Sequence, residues 1–259
     1  AKYNLTAPDT IAEMLNVVKV LKENNETPFL LAFQESWIPQ LMTALAIGGV
    51  VTNENPDFVE KMNAGTASYN DIDQIFDIID IIMENGTEKP FEVGNAAASA
   101  AFAEGKAAMW VQGTWQAQAI LDINPSLNIG CAPLPTSDSE DGALINLSVS
   151  TSLAVSPTSK NKDVAMDLLN YILDKEASTA LFEELKFNPV AKFHDYEVFP
   201  WTDEAMSYVA LNRGYRDLSL PQAVTAEQAA LLQSYYAKTI TKAQFIAKVD
   251  EVWKNSLGQ

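Results

Sequence analysis

Cysteine and histidine are almost missing from this chain: among 259 residues only Cys131 and His194 occur. A lone cysteine closes no intrachain disulfide, and a Cys/His zinc site needs three or four such ligands, so both are excluded within one chain. A Ser-His-Asp or Cys-His centre would have to use His194, whose neighbours Phe193, Asp195 and Tyr196 read as an ordinary loop. An oxidising compartment stays compatible, because a single buried Cys beside Gly130 is harmless in a strand. Basic residues are scarce as well: 17 Lys and Arg face 34 Asp and Glu, a formal net charge of −17. That field repels nucleic acid, no Lys/Arg cluster with interleaved aromatics offsets it, and anionic membrane surfaces are disfavoured for the same reason. No apolar run reaches the roughly 18 residues that span a bilayer. With neither an initiator Met nor a basic-then-apolar leader, the expectation is that any targeting segment has been removed or lies outside this sequence.

What is present describes a folded protein. Hydrophobic residues make up 47% and charged residues 20%, which fits a globular rather than a disordered chain, and 259 residues are enough for one large or two modest domains. The acidic excess is spread along the chain and reads as a solvated surface. In TAPDTIAEMLNVVKVLKENN, Thr6 is the expected N-cap, with Pro8 and Asp9 in the first turn. Ile11, Met14, Leu15, Val18 and Leu21 supply the apolar stripe. PFLLAF reads as a buried strand. A helix follows QESW and is expected to close at Gly48-Gly49.

Ile72, Ile75, Phe76, Ile79 and Ile82 define a helix over 70–85. AAASAAFAEG predicts a helix ending at Gly105, AAMWV a strand, 114–123 a further helix, and NIGCAPLP a strand. LINLSVSTSLAVS alternates in a β-like way. SKNKDVAMDLLNYILDK, with Ser159 as N-cap, and ASTALFEELK are helical, as are 202–212, 225–237 and 241–256 beyond FNPVAKF. Strands alternating with helices predict an α/β layered fold. The strand near 144–155 has little company, so it either joins the main sheet or pairs with strands outside this sequence.

Four stretches, in order, carry a family likeness. APDTIAEMLNVVKVLKENNETPF, FAEGKAAMWVQGTW, IGCAPLP and SLAVSPTSKNKDVAMDLLNYILDKEA resemble the extracytoplasmic sugar- and oligosaccharide-binding proteins of bacterial ABC importers, the maltose-binding-protein-like family. The resemblance implies a type II periplasmic-binding-protein-like α/β fold, with one near-complete C-terminal lobe and part of the N-terminal lobe. Residues 1–131 would open the C-terminal-type lobe. Residues 132–189 would be the hinge crossing and return segment of the other lobe, and 190–259 the helical remainder of the first. It further implies an extracytoplasmic location, a sugar or oligosaccharide ligand and ABC permease subunits as partners. No cofactor and no chemical turnover are implied, and membrane association would come only through a lipid anchor absent from this chain.

Candidate ligand contacts lie where strands end. Trp115 offers a flat indole to the C–H face of a pyranose, and Gly113 lets the backbone turn beneath it. The alternative is a helix-start Trp packed under a loop. Gln34, Glu35 and Trp37 follow the PFLLAF strand, where ligands of α/β sheets bind. Glu35 could accept sugar hydroxyls, or else cap the next helix while Trp37 packs at its entry. Arg213 and Arg216 could meet ligand hydroxyls or form surface ion pairs. Trp110, inside a strand, reads as core. A family aromatic expected beyond LPQ has no counterpart in AVTAEQ, which leaves a long maltodextrin-like ligand without one of its platforms. The rival classes are a glycoside hydrolase, which needs a carboxylate pair about 5 to 10 Å apart, and a carbohydrate-sensing module.

Overall fold

A computed structural model describes residues 2–148, 152–185, 193, 194, 196 and 200–258. Most of FNPVAKF, the middle of LINLSVSTSLAVS (149–151) and Asp195 lie outside these residues. Helix α1 (Ile11–Glu23) starts four residues later than expected. Its N-cap is Thr10, whose hydroxyl accepts from Glu13 N at 3.1 Å while Glu13 reaches back to Thr10 N, a capping box. Thr6 therefore plays no capping part, and Asp9 is turned towards Arg213 at 3.0 Å. Met14, Val17, Val18 and Leu21 form the buried face, whereas Leu15 stays exposed, one residue off the stripe.

Helix α2 (Trp37–Glu54) corrects a second expectation, since it runs straight through Gly48-Gly49. A Cβ on Gly48 would lie 2.3 Å from Tyr215 Cε2, and one on Gly49 would lie 2.5 Å from Thr136 Oγ1. These glycines are places of close approach rather than a stop signal. After α3 (Phe58–Asn63) and a tight turn at Tyr69–Ile72 comes α4 (Gln74–Glu84), and Ile72, Ile75, Phe76, Ile79 and Ile82 are all buried as the spacing requires. Helix α5 (Asn95–Ala103) ends before Gly105, whose φ of +73° suits only glycine comfortably, and α6 is Gln116–Ile123.

The sheet is smaller than the sequence suggests. Phe29 bridges in parallel to both Gly86 and Met109. Phe29 N–H donates to Asn85 O at 3.1 Å, Thr87 N–H to Phe29 O at 2.9 Å, Leu30 N–H to Met109 O at 2.8 Å and Met109 N–H to Pro28 O at 2.9 Å. PFLLAF is thus the middle of three short parallel segments, and Leu30 to Phe33 are buried on both sides. NIGCAPLP forms no strand: Cys131 N–H is taken by the Glu204 carboxylate at 2.6 Å instead of a neighbouring backbone.

Strand β1 (Ile145–Asn146) does find a partner among the described residues. After α7 (Lys162–Ile172), α8 (Lys175–Glu184) and α9 (Pro200–Ala210), β2 (Gly214–Tyr215) pairs with it in parallel, Ile145 opposite Gly214. Ser159 does not cap α7. Asn161 holds that position, and the Ser159 hydroxyl accepts from Asn161 N at 3.2 Å. Helices α10 (Gln222–Tyr236) and α11 (Lys242–Ser256) close the core, packing on each other, α10 also on α2 and α11 on α3 and the 69–72 turn. Edge-on ring contacts of Phe76 with Tyr235 and Phe245 knit them to α4, and Trp253 of α11 meets Phe58 of α3 in the same way.

Candidate functional site

Parallel segments send all their carboxyl ends to one side. The three that meet at Phe29 run on into 34–37, 88–95 and 111–115, so three loops gather at one edge. Phe33 N–H donates to Pro90 O at 2.7 Å and Gln34 N–H to Val93 O at 3.2 Å, docking the first loop on the second. Lys89 supports the turn with a φ of 54°, uncommon for a side chain of its size.

At this edge the structure brings Gln34 and Glu35 against Gly94, where a Cβ would meet Gln34 Oε1 at 2.5 Å and Glu35 Oε1 at 3.2 Å. Glu35 caps a helix, but a different one from that expected. Its Oε2 accepts from Asn95 N at 2.9 Å, at the start of α5, while the N-cap of α2 is Ser36 without a side-chain bond. A carboxylate there offsets the unpaired N–H groups and the positive end of the α5 dipole. One oxygen is thereby committed, and Glu35 remains partly exposed.

From Asn95 the polar contacts continue into the third loop. Its Nδ2 donates to Gln116 Oε1 at 3.1 Å, its Oδ1 accepts from Gln112 Nε2 at 3.4 Å, and Gln112 Oε1 accepts from Gly113 N at 3.0 Å. Buried Gln116 donates in turn to Ser99 Oγ at 2.6 Å. Trp115 stands on this turn at 56% exposure, its indole folded over Gly113, where a Cβ would lie 2.0 Å from Cζ3. Only glycine leaves room for the ring in that pose.

Trp37, 39% exposed, looks elsewhere. With Gln40, Leu41, Gly48, Tyr215 and Asp217 it lines a cavity of about 350 Å³ between α2, α10 and the β2 loop. Burial and the nearby Asp217 carboxylate push the Tyr215 phenol up to about 12, so it stays a neutral hydrogen-bonding group at any ordinary pH. Arg216 is exposed beside Tyr215 and does not line the cavity. Arg213 forms ion pairs with Asp9 at 3.0 Å and Asp141 at 3.1 Å. Trp110 is half-buried against the core.

Sequence reasoning missed Asn95, Gln112 and Gln116, and also Tyr215 and Asp217. The first three belong to helix starts and a strand end whose meeting is purely tertiary. The tyrosine carried a signal, the Gly48 it packs against, which with Gly49 reads as a helix stop until a partner ring is known. His194 sits 2.9 Å from Ser178 Oγ, where both residues are buried and Phe182 and Phe193 stand edge-on to the imidazole. Burial, and then Glu204, push the Cys131 thiol up, away from the reactive thiolate. Among the described residues no His, Cys, Asp and Glu cluster could hold a metal ion, and no helix is long and apolar enough to cross a membrane.

Comparison with known proteins identifies the family and the fold. The profile of the bacterial extracellular solute-binding proteins matches residues 1–179, and the chain belongs to that family. No curated protein sequence matches it. Among solved structures, a sugar transporter protein of Bacillus licheniformis in complex with stachyose superposes with a TM-score of 0.85 at 17% identity, over 98% of this chain and 68% of that one. A binding protein of Bacillus subtilis in an open conformation gives 0.81 at 17% identity, over 98% and 66%. RafE in complex with raffinose gives 0.77 at 20% identity, over 99% and 68%. The fold is therefore periplasmic-binding-protein-like, and the chain spans about two thirds of the length of the solved proteins it matches.

Proposed function

We propose that this chain supplies one wall of a cleft that holds a sugar or short oligosaccharide between two lobes and delivers it to an ABC importer permease, without breaking a bond. The carrying observation is that the loops bearing Glu35 and Trp115 leave the same edge of a parallel sheet and are joined there through Asn95, with exposed Trp37 at the start of α2 two residues after Glu35. Both indoles are exposed enough to lie flat on a sugar ring. Large rigid aromatics give contact area at little entropic cost, and the amides and carboxylates between them match hydroxyl groups. Stachyose and raffinose in the similar structures support that ligand class.

In this reading Trp115 and Trp37 are stacking platforms, Gly113 seats the first, Glu35 uses its uncommitted oxygen, Gln34 lies beside it and Arg216 sits at the rim. Residues 1–131 and 190–259 form the lobe that carries these groups, while 132–189 cross towards the other wall. The protein works outside the cytoplasm, and any tether to the membrane is a lipid anchor.

Calorimetric titration with raffinose and stachyose, with product analysis of the same samples, tests this. Saturable binding without product is expected, weak because one wall leaves a sugar face in water, and Trp115→Ala should lower the affinity at least about tenfold, the loss of one stacked ring. Cleaved sugar would overturn the transport reading, and unaltered affinity in the variant would remove Trp115 from the site.

A further inference from the structure

The loop that bears Glu35 and the loop that bears Trp115 share a partner, and it is neither a platform nor an acceptor. Helix α5 begins with Gly94 as N-cap, a residue with no side chain to serve the first N–H groups. Glu35 serves them from outside through Asn95 N. The Asn95 side chain then faces the other way and is used at both ends, its amide donating to Gln116 and its oxygen accepting from Gln112. These two glutamines bracket Trp115 in the chain. Gln112 fixes the Gly113 N–H that opens the turn, and Gln116, the first residue of α6, is anchored on Ser99 of α5. The indole is thus held from before and behind by one helix start, and that helix start is held by Glu35.

We propose that Asn95 is a positioning residue that fixes Trp115 relative to Glu35, so that the two loops present a preformed rather than an adjustable pair of contacts. Its consequence for affinity rests on the sugar-binding reading, while its consequence for Trp115 does not. A hydrogen-bonded network in which each buried member is satisfied specifies one arrangement of its loops. Binding is then spared the ordering of a rotamer-rich surface. Asn95 touches no ligand in this scheme. Asn95→Ala removes the side-chain links and leaves the backbone N–H for Glu35, so it separates positioning of Trp115 from capping of α5.

The test uses the chain labelled with fluorotryptophan, the Trp115 fluorine resonance being assigned by its loss in Trp115→Phe. Asn95→Ala is expected to shift or broaden that resonance while Trp201 and Trp253 keep theirs, and Gln112→Ala, at a half-exposed loop position, should do the same. The double variant should give less than the sum of the two single ones, because both cut the bond between Gln112 and Asn95. Should Asn95→Ala fail to fold, Gln112→Ala alone carries the measurement. A Trp115 resonance that stays in place in the folded variants overturns the proposal, whatever sugar does. Raffinose titration of the same variants supplies the second reading: an affinity about tenfold lower, the worth of roughly one lost hydrogen bond, extends the positioning role to binding. A moved resonance in a chain that binds no sugar leaves the tether standing and removes the ligand class.

Discussion

Helices α4 and α7 are each 11 residues long and both amphipathic, yet the protein treats them oppositely. In α4, Ile75, Phe76, Ile78, Ile79 and Ile82 are at most 1% exposed, enclosed by α2 and the rings of α10 and α11. In α7 no residue is buried. Ala165, Leu169 and Ile172 are half-covered, and α7 packs chiefly on α8, while a second apolar stripe of Val164, Leu168 and Tyr171 stands open at 57% exposure or more. Apolar residues at helical spacing therefore decide that a helix forms and which face is apolar. Whether the face contributes to stability depends on elements distant in sequence. The region around α4 should carry the folding free energy, and α7 little of it.

The most drastic way to expose this difference is alkali. Burial and nearby carboxylates push the phenols of Tyr208 and Tyr215 up to about 12, and Tyr69 and Tyr236 further, whereas an unfolded chain releases these protons near the ordinary value of about 10. Folded-state values above the unfolded ones mean that the native state binds more protons in this interval. Stability is complete below about 10 and falls as the pH rises towards 12. Melting followed against pH, with tyrosinate absorbance recorded alongside, should show unfolding and tyrosine ionisation together. Ionisation of all the tyrosines near 10 without loss of the fold would show that they are not buried as described.

Next in size is Ile79→Ala. It deletes atoms from a fully buried position and leaves a cavity that close-packed neighbours cannot fill, at a cost of about 2–5 kcal/mol in urea denaturation. A loss below about 1 kcal/mol would mean that α4 is not at the centre of the cooperative unit.

The same contrast explains how much of the protein was legible beforehand. The α4 stripe, the helix before Gly105 and the three C-terminal helices follow from spacing and caps that act within a dozen residues. The misread places are those where a distant group takes over a local signal. Glu204 occupies the Cys131 amide that a strand would have paired, and Tyr215 and Thr136 account for the two glycines inside α2, whereas the Thr10–Glu13 capping box is a local signal that outcompetes Thr6. The candidate site divides similarly. Trp115, Gly113 and Glu35 were marked by strand ends, but the Asn95 link between them depends on α5 meeting two loops, and no spacing in the sequence encodes that.

Gly48→Ala sharpens the point at a smaller scale. By helix propensity the change should stabilise α2 by about 1 kcal/mol. The added methyl would instead lie 2.3 Å from the Tyr215 ring, which is pinned between α2 and β1, so a net destabilisation of about 1–3 kcal/mol is expected. Stabilisation would show that the ring has somewhere to go, namely the cavity beside Trp37 that it lines.

The smallest effect belongs to α7. Leu168→Ala removes as many atoms as a core leucine would lose, but from a side chain 57% exposed, so the change should stay within about 0.5 kcal/mol. Alanine is the better helix former, which offsets part of the little packing that an exposed leucine gives up. The value of this measurement lies in its asymmetry with Ile79→Ala, since the two helices match in length and both are amphipathic but differ sharply in what covers their apolar faces. A cost near 2 kcal/mol at Leu168 would mean that the open stripe is covered in solution. Sedimentation of the chain at the concentration used for denaturation would then show whether a second copy is what covers it, because stability drawn from association rises with concentration and stability drawn from the chain's own fold does not.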